Sequence, residues 1–207
     1  MMLKSNVCFN RTKGFVLLLC LSMQLLGQHS VSKYECCWAL WHPFAALKIK
    51  KQLPKAMLVY KEVEKTKLLD TLAFGGKLDA FRHTYVMAYL ARVIKPKKLR
   101  KLGIAHEKGN KKGFYKNKLE FAERADSIAC EMDLRNNEVG FSLGTINKQA
   151  NNEELKHIIL SEIKNGRTWY LKRNTNYQYV SCNDNIIYLL DYKGIWYVPK
   201  CLVRTNE

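Results

Sequence analysis

A chain of 207 residues suits one domain with a small appendage, and 35 lysines and arginines against 18 acids give a net charge of +17. That excess favours anionic partners such as phosphate surfaces, lipid head groups or an envelope polymer. Between Lys95 and Lys118 ten bases accompany a single acid, Glu107, but only Phe114 and Tyr115 are aromatic there. A single-strand nucleic-acid binder with its stacking platform is therefore disfavoured, and the stretch reads either as a binding patch or as a solvated basic face.

Taken in chain order, residues 1–27 read as a secretory signal peptide. Lys4, Arg11 and Lys13 precede the apolar run from Gly14 to Leu26, and Gly27 stands before the expected cleavage point. An uncleaved N-terminal anchor is the alternative. No later stretch is long and apolar enough to span a bilayer, so an exported chain, periplasmic or secreted, is expected. Export permits disulfides, and Cys182 with Cys201 is the natural pair among the five cysteines beyond Gly27. No CxxC spacing supports a zinc knuckle.

Residues 38–66 read as one or two helices, with Pro43 and Pro54 at starts or breaks, and Trp38 to Pro43 as core packing rather than an aromatic lip. Gly75-Gly76 is a turn. From Ala80 to Ile94, Phe81, Val86, Met87, Leu90 and Val93 recur at helical spacing and predict a buried helix. Pro96 opens a helix toward His106, Gly109 to Gly113 reads as a flexible loop, and 118–136 as a long helix ending near Gly140. After a linker over 144–152, a short helix is expected over 153–164. The runs 168–173, 177–182, 186–191 and 195–198, separated by Asn-rich or Gly-containing turns, predict small antiparallel strands. The expected fold is mainly α: a helical domain over 28–147, then over 148–207 a short helix and a small C-terminal antiparallel β meander, α+β overall.

Three polar clusters stand out: Asp79 to His83, Ala105 to Glu107, and Met132 to Asn137. Asp79 and His83 share a helical face, as do Asp133 and Asn136 or Asn137. If three helices bring these faces together, His83, His106 and Asp133 become ligands for a divalent metal. His83, His106, Glu107 and Asp79 are the candidate catalytic groups, orienting an imidazole or acting as general base. Arg82, Asn136 and Asn137 are candidate binding residues, Arg82 as an anion clamp. Each also has a plain structural reading: Asp79 as a helix N-cap, Asn136-Asn137 as a C-cap before Gly140, a histidine as a hydrogen-bonded core residue.

The same residues carry a resemblance. Asp79-Ala80-Phe81-Arg82-His83, Ala105-His106-Glu107 and Met132-Asp133-Leu134-Arg135-Asn136-Asn137-Glu138-Val139-Gly140 resemble the D-A-[FY]-R-H, A-H-E and M-D-L-x-N-N-x-V-G signature of a family of uncharacterised bacterial domains, often exported and of Bacteroidetes type. It covers roughly residues 40–147, and the chain departs from it at Val86, where many members carry tryptophan. The resemblance implies no reaction.

Two functions follow as expectations. One is an exported hydrolase-like enzyme, metal-assisted, acting on a cell-envelope or phosphate-bearing substrate. The other is a non-catalytic envelope or interaction module in which the motif residues form a hydrogen-bonded structural network. The absence of a serine elbow, a phosphate-cradling glycine loop and an HExxH helix counts against those enzyme classes.

Overall fold

The computed structural model describes residues 31–207; the expected signal peptide lies outside them. Among these residues six helices follow one another: α1 Lys33–Trp41, α2 Pro43–Thr66, α3 Lys77–Ala91, α4 Pro96–Phe114, α5 Ser127–Ile146 and α6 Asn152–Lys164. Two short strands, β1 Trp169–Leu171 and β2 Leu202–Arg204, close the chain with a 3-10 turn over Leu189–Tyr192 between them. The protein is mainly α with a small β part, and no helix among the described residues is long and apolar enough to cross a membrane.

Local chemistry sets the boundaries. Ser32 and Glu35 form a reciprocal capping box at α1, and Asn151 and Glu154 form another at α6. Pro43 opens α2, where its missing N–H costs nothing. Pro54, expected as a start or break, lies inside this 24-residue helix. Buried Ile49, Ala56 and Val59 hold the helix on either side of it, and that packing outweighs one lost backbone hydrogen bond.

Helices α3 and α5 form the central pair. Gly140 and Gly144 lie against the α3 backbone at Thr84 and Ala88, so that any side chain there would collide with main chain. These glycines permit close approach and do not end the helix: α5 continues to Ile146, past the expected stop near Gly140. The expected loop over 109–113 is likewise helical, since α4 runs to Phe114. Gly109 is there because a Cβ would meet Ser32 at the start of α1. Conversely, α5 begins only at Ser127, where Asp126 accepts from the N–H groups of Ile128 and Ala129 at 2.9 and 3.0 Å. Residues 116–124 are irregular, with Asn117, Phe121 and Ala122 at positive φ.

One core lies between α2, α3 and α6 (Val63, Phe81, Tyr85, Leu155, Ile159), and a second joins α1 and α2 to Leu90, Leu99 and Phe141. A third, with Phe74, Met132, Leu171, Tyr179 and Val198, seats the C-terminal segment. Within that segment the sheet is smaller than the expected meander. β1 pairs antiparallel with β2, Tyr170 opposite Val203, while 177–182 and 186–191 contribute only isolated bridges, Arg173 with Tyr179 and Val180 with Ile186. Tyr177, Tyr188, Leu190 and Tyr197 stand in solvent, so the alternation in those runs has no second layer to bury. A disulfide joins Cys182 to Cys201, the pair expected because both lie in the tail. Next to it, buried Lys200 pairs with Asp126 at 2.7 Å, tying the tail to the cap of α5.

Candidate functional site

Helix α3 opens in an unusual way that frees Asp79. Its N-cap, Gly76, has no side chain, and the Asp70 carboxylate reaches over from the preceding loop to accept from Lys77 and Leu78 N–H at 2.6 and 3.1 Å. Asp79, a candidate cap by sequence, instead accepts from Gly75 N–H with Oδ2 at 2.7 Å and turns Oδ1 to the Arg82 guanidinium, 3.0 Å from Nε and 2.5 Å from Nη2. One turn on, His83 Nε2 lies 3.5 Å from Asp79 Oδ1 and 3.2 Å from Asp133 Oδ1 on α5. The other ring nitrogen, Nδ1, is 3.3 Å from Asn137 Oδ1.

The three side chains Asp79, His83 and Asp133 each offer a ligand atom, all within 4.8 Å of one another. Ligands of a tetrahedral ion with bonds near 2.0–2.1 Å sit about 3.3–3.4 Å apart, and the two His83 distances match that spacing. With Asn137 Oδ1 accepting, Nδ1 carries the ring proton and Nε2 presents its lone pair to the carboxylates. His83 Nε2 and Asp133 Oδ1 are nevertheless out of hydrogen-bonding alignment, so both are buried without a partner. Glu107 Oε1 is left in the same state. Unsatisfied buried polar atoms are costly, and a cation held between His83 Nε2 and Asp133 Oδ1 would give both a partner.

The electrostatics agree with a site short of positive charge. Burial pushes Asp133 well above the usual carboxylate range, helped by the charges of Asp79, Glu107 and Glu120. Burial likewise raises Asp79, outweighing Arg82, and raises Glu107 against the opposing effect of His106. Burial, then the charges of Arg82 and His106, hold His83 well below 6.5, so its imidazole is neutral, the form that ligates a metal.

The remaining expected site residues separate into distinct places. Asn136 is fully buried and faces away from His83: its amide exchanges two 2.9 Å hydrogen bonds with the Trp169 backbone and fastens β1 to α5. Glu107 meets Asn110 at 3.0 Å and also bonds the Cys130 thiol, whose own pKa is driven up by burial. His106 lies outside the trio, its Nδ1 3.1 Å from Glu35 Oε1. Glu35, Asp70 and Cys130 were not singled out from sequence; only Glu35 carried a signal, the Ser-x-x-Glu box at the start of α1.

Burial works against charge on His106, but the Glu35 hydrogen bond and the carboxylates of Glu107, Glu35 and Glu120 push its pKa up to about 9. A raised histidine stabilises the fold fully below its unfolded value near 6.5, and that contribution is lost as pH climbs through 9. Glu35, lowered below 4.5 despite its burial, contributes above 4.5 and loses its contribution as pH falls through its folded value. Glu35→Gln is thus expected to lower the melting temperature at pH 7 and to leave it nearly unchanged at pH 10. Thermal melts across that range check this; an equal loss at both values would contradict it.

The comparison with protein families matches residues 36–167, from α1 to just past α6, with a family described as Domain of unknown function (DUF6973). Neither the curated proteins nor the solved structures gave a match.

Proposed function

The chain belongs to the DUF6973 family, a domain of unknown function, and from that premise we propose that it is a metal-dependent hydrolase centred on Asp79, His83 and Asp133. The observation that carries this reading is the pair of unpartnered buried atoms, His83 Nε2 and Asp133 Oδ1, converging at 3.2 Å beside Asp79. An imidazole with two carboxylates suits a first-row divalent ion such as Zn²⁺ or Mn²⁺. A zinc ion held there would lower the pKa of its bound water to about 7 and polarise a phosphoryl or acyl oxygen. Glu107, buried and with a raised pKa, is the general base of this proposal. Arg82 is only 14 % exposed at its side chain and sits over the Phe121 ring at 4.9 Å. It serves as the anion clamp of this proposal. The disulfide supports the further proposal that the chain acts in an oxidising, exported setting.

One observation favours the second reading, a structural network. Asp79, His83, Asp133 and Asn137 are all nearly sealed from solvent. Two surface hollows, one between Leu69 and Leu160 and one around Ile146 and Ile158, touch none of them. In that reading Asp133 holds a proton and shares it with His83.

A chromogenic phosphodiester tests the enzyme reading. Turnover is expected to vanish with chelator and return with Mn²⁺ or Zn²⁺, and to fall about 10²–10⁴-fold in Glu107→Gln with metal content unchanged. Turnover that ignores chelator, or none from fully metal-loaded protein on phosphodiester and ester substrates alike, sinks it.

A further inference from the structure

One exposed face of α1 and α2 has no role in the fold or in the site. Trp41 is 84 % exposed and Phe44 79 %, with Leu40 and Leu47 beside them, whereas Trp38 one turn earlier is buried. The expected core packing of Trp38 to Pro43 therefore holds for Trp38 and fails for Trp41. Along α2, spacings of four, three, four and three residues place Lys48, Lys51, Lys55 and Leu58 on the same side as Phe44, all exposed. No aspartate or glutamate occurs between Cys36 and Lys61. Val93, 43 % exposed, joins the apolar edge, and Lys48 Nζ donates to its carbonyl at 3.1 Å. From α4, the charges of Lys98 and Lys101 reach His42 at the α1–α2 corner.

We propose that this face docks on an anionic lipid surface. Large apolar side chains grouped in solvent mark an interaction site rather than chance exposure. A tryptophan and a phenylalanine at the corner suit the level of the lipid head groups, where an aromatic ring buries its apolar body. The surrounding lysines have long apolar stems and bring their ammonium groups to lipid phosphates, attracted by the negative surface potential. Nucleic acid would also accept the lysines but offers nothing to Leu40, Leu47 and Val93. None of these residues belongs to the Asp79, His83, Asp133 trio or its hydrogen-bond partners, so the proposal stands apart from the hydrolase reading.

Tryptophan quenching tests it with the full chain. Vesicles of phosphatidylcholine, with or without phosphatidylglycerol, are prepared with brominated acyl chains, and emission is compared in the wild type and in Trp41→Tyr. Quenching is expected on the anionic vesicles, weakened by salt and absent in Trp41→Tyr, whose other tryptophans are buried or lie away from this face. Lys48→Gln/Lys51→Gln/Lys55→Gln, folded by circular dichroism, is expected to partition about tenfold more weakly or worse. Quenching that survives Trp41→Tyr would place another segment in the bilayer and overturn the proposal. An unquenched Trp41 would overturn it too, whether the chain then stays free, sediments as a dimer or binds a single-stranded oligonucleotide.

Discussion

Asp133→Asn is expected to stabilise the metal-free protein and to destabilise the metal-loaded one relative to wild type. Asparagine keeps the size of the side chain and removes its charge. In the free protein, Asp133 is buried among Asp79, Glu107 and Glu120, and its pKa is raised well above 3.8. The sign follows from linkage: between the unfolded value near 3.8 and the raised folded value, the folded state binds more protons than the unfolded state. Stability therefore falls as pH rises through that window, and at neutral pH the carboxyl works against the fold. The amide variant escapes that penalty, so with chelator present its melting temperature equals or exceeds that of wild type. Saturating metal reverses the order. At a hundred times Kd a bound ion adds about 2.7 kcal/mol, or roughly 5–10 °C for a chain of this size, and only wild type gains it. Melts with chelator and with Zn²⁺ or Mn²⁺ check both halves. A purely structural network predicts a loss in the variant under both conditions, because a hydrogen-bonded partner of His83 has gone.

The second large effect belongs to the neighbouring cluster and has a different cause. Asn136→Ala removes both hydrogen bonds to the Trp169 backbone, each 2.9 Å, from a residue with no exposed surface. It strands a backbone N–H and C=O at the join between α5 and β1, where neither has another partner on α5. Leaving such groups unsatisfied costs about 1–3 kcal/mol each, so a loss of roughly 2–6 kcal/mol is expected. That corresponds to about 4–24 °C, with metal affinity unchanged because the ligands stay in place. Asn137→Ala, by contrast, is expected to weaken metal binding about 10–100-fold, since the ring of His83 loses its orienting partner. A reversed pattern for the two asparagines would show that their assigned roles are wrong.

The two asparagines also mark what the sequence can and cannot carry. Helical spacing placed Asp79 with His83 and Asp133 with its asparagines, and the faces of α3 and α5 do meet. Adjacent residues on a helix point about a hundred degrees apart, however, and nothing local says which of Asn136 and Asn137 looks inward. The partners that decide this, Trp169 and His83, lie 33 and 54 residues away. His106 follows the same rule: its carboxylate, Glu35, is 71 residues distant, and sequence grouped the imidazole with His83 instead. Glycines misled for a related reason. Gly109, Gly140 and Gly144 look like helix ends, but tertiary contact with Ser32, Thr84 and Ala88 explains them. The helices themselves were legible because apolar periodicity is local, as with Phe81 and Leu90 on α3. Strand-like runs in the tail kept their alternation without finding a partner sheet, and β2 was missed because it is three residues long and pairs across the chain with β1.

The central claim is that Asp79, His83 and Asp133 hold one divalent ion. Isothermal titration of Zn²⁺ and Mn²⁺ into chelator-stripped protein tests it most directly. The wild type is expected to take up a single ion at the trio with release of protons, since Asp133 must ionise to ligate. Asp133→Asn is expected to bind more than about a hundredfold more weakly. No uptake by the wild type, or equal uptake by the variant, would contradict the claim and leave the three clusters as a sealed hydrogen-bonded core.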